Sequence, residues 1–299
     1  MFGKLFGSGK PRPTPGQPPR PAPVKAKRVN LVRRFTLIAE TGQGSMSKVY
    51  RAVDNETGRT ICLKVQDSQK TAAAIARSAS VGRLSEGEIA QKIIHPNVVR
   101  TFDWGLSTKG EYYIVMEFID GVSLIYCRES KNLALPEKIE LLAQAADALA
   151  AVHHSGFIHR DFGPKNLLVN RENQVKLIDF GLAVPNTPAF RRPGNRTGTL
   201  TYMAPELVRR EPTDERIDIF SFGVTAFEFL SGRLPYDVNP ADPMAVMRSR
   251  INNQPLKLED VAPRIPAQLA ALVNRTLAKR PEDRWPSAET LGAAFRELI

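Results

Sequence analysis

Phe157-Ile-His159-Arg160-Asp161-Phe-Gly163-Pro-Lys165-Asn166-Leu-Leu-Val169, followed by Leu177-Ile-Asp179-Phe180-Gly181, is the stretch of this 299-residue chain on which the reading of the fold turns. Asp161 and Asn166 stand five apart on a loop, and Asp179 follows Asn166 by thirteen residues across a predicted β-hairpin. Any one of the three would serve as a turn-capping residue. A turn does not explain the whole run set between two apolar strands. A carboxylate able to receive a hydroxyl proton, beside hard oxygen ligands for Mg²⁺, is what phosphoryl transfer requires, and Asp161, Asn166 and Asp179 supply those groups.

Working outward, Gly42-Gln-Gly44-Ser-Met-Ser47-Lys-Val49 lies between two strand candidates. Glycines there let a hairpin backbone approach a phosphate chain with no Cβ in the way, although a plain Gly-rich turn reads the same. Fifteen residues past Val49, Lys64 sits in the apolar run Cys-Leu-Lys-Val. A lysine in such a strand either lies at an exposed edge or has a partner. Glu86 and Glu88, in the helical stretch before His95-Pro-Asn-Val-Val99, are the candidate partners.

The organisation is strand-rich, then helix-rich. Phe35–Ile38, Lys48–Val53, Thr60–Val65, Val98–Trp104 and Tyr112–Phe118 carry β-branched and aromatic residues separated by turn signals, with helix formers over residues 71–93. After Gly121 the periodicity becomes helical. One helix opens at Pro136-Glu137 and closes at Gly156, with Ile139, Leu142, Leu149 and Val152 on one face. Others are expected over about 214–232, over 266–279, and from Ser287 to the end. The predicted fold class is α+β: an antiparallel sheet with one helix over about 31–118, a mainly α-helical lobe over about 122–299, and a cleft between them.

With these motifs in order, the chain resembles the eukaryotic-like serine/threonine protein kinases from about Phe35 to Ile299, and their bacterial members in its compact helical ending. The motifs that carry the likeness are Gly42/Gly44/Val49, Lys64, His159-Arg160-Asp161 with Asn166, Asp179-Phe180-Gly181 and Ala204-Pro205-Glu206. The resemblance implies a bilobal protein-kinase fold and transfer of the γ-phosphoryl group of ATP to protein Ser/Thr hydroxyls. It implies that Asp161 orients the hydroxyl, and that Asn166 and Asp179 hold Mg²⁺, with Mn²⁺ an alternative. Gly42, Gly44, Ser47 and Val49 would cover the phosphates, and Glu86 rather than Glu88 would pair with Lys64. Met116 would sit beside adenine, with the backbone of Glu117 and Ile119 reading its edge. Glu206 and Arg284 would form a buried structural ion pair.

The chain departs from that pattern at two places. Ser47 replaces a third glycine, and Gly163 stands where such kinases carry a lysine that neutralises γ-phosphate charge. Lys165 is expected to substitute, so its replacement should cost more turnover than that of a surface lysine such as Lys176. Gly163 also admits tyrosine or dual specificity, or a weakly active or inactive pseudokinase. Thr199, matching the family threonine that bonds the catalytic aspartate, favours Ser/Thr. A small-molecule kinase would lack the Ala-Pro-Glu segment. Arg160 beside Asp161 implies switching by phosphorylation of the loop bearing Thr187, Thr197, Thr199 and Thr201, in a transient homodimer, with Thr197 the best exposed candidate.

Composition is that of a soluble globular chain, 42% hydrophobic and 24% charged. No apolar run reaches the roughly 18–20 residues that span a bilayer, and no secretory signal is evident, so a cytoplasmic location is expected. Cys62 and Cys127 read as reduced thiols with no zinc-site spacing. Of the net charge of +11, residues 1–30 hold +7 with no acidic residue and seven prolines. That composition predicts a disordered basic tail, suited to a docking partner or an anionic membrane surface. The remaining chain is too mildly basic to suggest specific nucleic-acid binding.

Overall fold

The computed structural model describes residues 28–43, 47–68, 71, 84–194 and 197–299. Five strands, β1 (Phe35–Gln43), β2 (Ser47–Asp54), β3 (Thr60–Gln66), β4 (Thr101–Leu106) and β5 (Tyr112–Glu117), form one antiparallel sheet in the order β1-β2-β3-β5-β4. Alternation along β3 decides what each face carries. Ile61 and Leu63 point into a small core with Phe35, Ala52, Tyr113 and Val115, while Lys64 takes the opposite face.

Within the expected helical stretch 71–93, one helix is described. Ser85 is an extended N-cap whose side chain accepts from the Glu88 amide, and the helix runs Glu86–Lys92. It lies against β4, where a Cβ on Gly87 would come within 2.6 Å of Trp104, so the close approach requires glycine. Residues 72–83 lie outside the described residues. Thr101–Leu106 replaces the expected strand Val98–Trp104, because Val98 instead bridges to Leu177.

Beyond the connection at 118–120 the second lobe is mainly helical. Helix Leu135–His154 buries Ile139, Leu142, Leu149 and Val152. Helix Arg216–Ser231 is buried almost all round, which is why its sequence is apolar on every face. The expected helices at 266–279 and after Ser287 are Ala267–Thr276 and Ala288–Arg296. Helices that went unread in the sequence include Leu124–Ser130, capped by Ser123, and Pro243–Asn252, capped by Asp242.

The predicted tail lies almost wholly outside the described residues. Its last part does not: the Val29 amide donates to Leu106 and its carbonyl accepts from Thr108, so the folded lobe begins before residue 31. No helix among the described residues is long and apolar enough to cross a membrane.

Candidate active site

Lys64 reaches across the lobe boundary. Its Nζ donates to Glu86 Oε1 at 2.7 Å and to Asp179 Oδ1 at 3.0 Å, and its side chain is only 10% exposed. Burial alone would lower the lysine pKa, but Glu86 and Asp179 outweigh it and raise the value, so the ammonium persists. Asp179 moves the other way: burial pushes it up, and Lys64 with the Gly181 amide more than offsets this, holding it as a carboxylate. Glu88 is occupied elsewhere, accepting from the Ser85 amide at 2.7 Å in a capping box. That Ser-x-x-Glu spacing was a signal in the sequence itself, and it separates the two glutamates without any family comparison.

Asp179 is tied to the loop of Asp161 through backbone. The Ile178 amide donates to the Asn166 carbonyl at 2.8 Å, and Leu167 pairs with Leu177. The Asn166 amide nitrogen donates to the Asp161 carbonyl at 2.8 Å and to Asp161 Oδ2 at 3.3 Å. On its other side Asp161 Oδ1 accepts from the Thr199 amide and hydroxyl, and Lys165 Nζ lies 2.9 Å from the Thr199 hydroxyl and 3.4 Å from Asp161 Oδ2. Lys165 is 59% exposed along its side chain, a reach compatible with a bound anion.

The loop geometry is anchored from below by Asp218, which is wholly buried. It accepts from the amides of His159 and Arg160 at 2.7 and 2.8 Å and lies 3.0 Å from His153 Nε2. Burial raises the Asp218 carboxyl, but the His153 contact, with His159 and its amide, more than cancels this and lowers it. His159 stacks edge-on against Phe180 and Phe162, and burial lowers its imidazole. It is therefore a neutral scaffold. Arg160 and Asp179 both have φ of 67°, a left-handed backbone uncommon outside glycine that Asn173 and Arg210 also adopt, at 56° and 60°. Gly198, at φ 127°, passes so near the Arg160 carbonyl that a Cβ would sit 2.5 Å away.

Of the other candidates, Val49 lies across from both Gly42 and Lys64, and Ser47 opposite Gln66. A Cβ on Gly42 would meet only Val49, at 3.9 Å, so nothing in the protein itself demands glycine there. Gly44 lies outside the described residues. Met116 is buried at the end of β5, Glu117 donates its amide to Arg100, and Ile119 follows in the irregular connection. Glu206 and Arg284 meet as two parallel bonds of 2.6 and 2.8 Å, both buried. Cys62 and Cys127 are free thiols, and burial pushes Cys62 up to about 11 against the pull of Lys64.

Two expectations change. Lys176 is not a surface lysine: it is 13% exposed and paired with Glu117 at 2.9 Å. Thr197 is half-buried, and among the loop threonines Thr187 is the exposed one.

The arrangement has the donor set for a phosphate-bound divalent cation. Asp179 Oδ2 and the Asn166 amide oxygen accept no hydrogen bond among the described residues, so each offers a free hard oxygen, that of Asp179 on a carboxylate already paired with Lys64.

Residues 35–295 match the family described as protein kinase domain. The chain is 31% identical over 272 residues to the probable serine/threonine-protein kinase pknA2 of Bifidobacterium longum, covering 89% of this chain and 35% of that protein. It is 34% identical over 260 residues to serine/threonine-protein kinase PknE of Mycobacterium tuberculosis, covering 86% and 45%. The likeness to the probable serine/threonine-protein kinase PknB of Lactococcus lactis is 31% over 267 residues, covering 86% and 41%. The chain thus spans less than half the length of these relatives.

Proposed function

The chain belongs to the protein kinase family, and from that premise we propose that it transfers the γ-phosphoryl group of Mg·ATP to serine or threonine hydroxyls of proteins. The observation that carries the reading is the unbroken polar path from Glu86 through Lys64 and Asp179 to Asn166, Asp161 and Thr199.

Each residue then has a role set by its chemistry. Glu86 aims the Lys64 ammonium at the α- and β-phosphates, under the cover of Gly42, Gly44, Ser47 and Val49. Met116 and the backbone of Glu117 and Ile119 hold the adenine. Asp161, fixed by Thr199 and Asn166, orients the acceptor hydroxyl and takes its proton. Asn166 and Asp179 hold Mg²⁺, or Mn²⁺, which supplies neutralisation of charge on the phosphates. Lys165 provides the cation that Gly163 cannot.

Thr199 on Asp161, and relatives named as serine/threonine kinases, support hydroxyl acceptors of Ser and Thr. The first acceptor is the chain's own activation segment, with exposed Thr187 as its site, reached in a transient pair of molecules. Radiolabelled ATP with Mg²⁺ and an acceptor protein, followed by phosphoamino-acid analysis, tests the assignment. Wild type should yield phosphoserine or phosphothreonine and Asp161→Asn none. Label on tyrosine alone, or equal label from both proteins, would refute it. Intact mass after incubation with ATP tests the self-modification, and no added phosphate would reject it.

A further inference from the structure

Arg250 is an arginine almost without exposure, at 1%, and among the described residues it has no carboxylate partner. Its guanidinium lies 3.9 Å from the centroid of the Tyr236 ring, and its Nη2 donates to the carbonyl of Thr201. Nε and Nη1, like the Tyr236 hydroxyl, are buried with no hydrogen-bond partner among the described residues. If filling space were the whole task, an apolar residue of similar volume would stabilise the fold as well or better. What an apolar residue cannot supply is a hold on the Thr201 carbonyl.

That carbonyl belongs to the short 3₁₀ turn Leu200–Tyr202, whose closing bond runs from the Tyr202 amide to the Thr199 carbonyl at 3.0 Å. Thr199 is in turn the residue on Asp161 and Lys165. The helix carrying Arg250, Pro243–Asn252, is fixed at both ends. Asp242 caps the amides of Met244 and Ala245, and the Ile251 carbonyl accepts from Arg209 at 3.2 Å and Lys279 at 3.1 Å. A fixed helix thus presents one buried cation to the underside of the segment that links Asp161 to the rest of the lobe. Burial pulls the guanidinium down to about 10, against the opposing pull of Tyr236, so it is charged at neutral pH.

We propose that Arg250 is a positioning residue for Asp161 and Lys165, pinning the segment Gly198–Met203 through the Thr201 carbonyl and so holding Thr199 in place. The inference rests on the kinase reading above. Its consequence is selective, because Lys64, Glu86 and Asp179 hold the nucleotide side through contacts that do not involve this segment.

The experiment compares wild type, Arg250→Met, Arg250→Lys and Tyr236→Leu with myelin basic protein as acceptor and with Mg·ATP binding measured by calorimetry. Arg250→Met should lower kcat about tenfold at saturating acceptor and leave the Kd of Mg·ATP unchanged. Arg250→Lys, which keeps a cation and one donor, should recover most of that loss. Tyr236→Leu should lower kcat in the same direction by about threefold, and it decides the matter if Arg250→Met does not fold. An unchanged kcat, or a parallel loss of nucleotide affinity, overturns the proposal. A wild type that binds Mg·ATP but labels no acceptor overturns the kinase reading itself and this inference with it.

Discussion

Thr199 holds one oxygen of Asp161 with two atoms at once, its amide at 2.8 Å and its hydroxyl at 2.7 Å, while the same hydroxyl accepts from Lys165. The hydroxyl therefore joins the proposed base to the proposed γ-phosphate cation. Replacing Thr199 by Val keeps the amide bond and removes this link. A hydrogen bond to a charged group contributes about 1.5–3 kcal/mol, so kcat should fall about 10- to 150-fold. Thr199→Ser should stay within about threefold of wild type. Steady-state kinetics with saturating ATP check this, and a Val variant as fast as the Ser variant would remove Thr199 from the mechanism.

Gly163 offers a sharper test of Lys165. Its backbone is extended, at φ −175°, and a Cβ there would meet the Tyr202 ring at 3.5 Å, ordinary contact distance. A lysine at this position is thus sterically admissible. Lys165→Met should lower kcat about 10- to 100-fold through loss of one charge on the transferring phosphate. Lys109→Met, at a truly exposed position, should have no effect. Adding Gly163→Lys to Lys165→Met should restore at least tenfold. Failure of the second lysine to rescue, with the double variant folded, would separate Lys165 from that role.

What was legible in the sequence was whatever a short run encodes by itself. The β3 alternation set Lys64 opposite Leu63, and the span from Asp161 to Asp179 reads as a loop and hairpin that the Leu167–Leu177 pairing closes. Lys176 misled because a lysine between apolar residues looks like the solvent face of a strand, and its partner Glu117 is 59 residues away. Arg250 was missed for the same reason: nothing near it in sequence signals a contact with Thr201, which depends on two helices docking. Helix Pro243–Asn252 was overlooked although Asp242-Pro243 is a legible start, since its apolar face is thin. Residues 72–83 and the greater part of the tail lie outside what the structure describes, so those readings stand where composition left them.

His159 makes stability depend on pH in a window the structure defines. Burial lowers its imidazole below the ordinary value, against the pull of Asp218, Asp161 and Asp179. In the unfolded chain it titrates near about 6.5. Between that value and the depressed folded one, the unfolded state binds the extra proton. The contribution is fully present above about pH 6.5 and is lost as pH falls through the folded pKa. Asp218, also lowered, adds a loss of the same sign further into acid, below its unfolded value of about 3.9. Urea unfolding at pH 7.5 and 5.5 should show wild type losing about 1 kcal/mol more than His159→Phe, which keeps a ring against Phe162 and Phe180. Identical pH dependence in the two proteins would mean that the imidazole is solvated.

The Glu206–Arg284 pair should respond asymmetrically to loss of one partner or the other. Both side chains are buried, but their alternatives differ. Arg284 also donates to the carbonyls of Ala278, Arg216 and Lys279, at 2.8, 3.0 and 3.1 Å, and lies 5.0 Å from the Phe220 ring centroid. Among the described residues, Glu206 has no other side-chain donor than Arg284. Arg284→Met therefore strands a buried carboxylate and should cost about 3–5 kcal/mol. Glu206→Gln keeps an acceptor for the guanidinium, which retains its three carbonyls, and should cost about half as much. In a double-mutant cycle the two losses should fall short of additivity by at least about 1 kcal/mol, because the second change removes a group already without its partner. Equal single losses in urea unfolding, or strict additivity, would show that the carbonyl contacts rather than the ion pair fix this corner of the lobe.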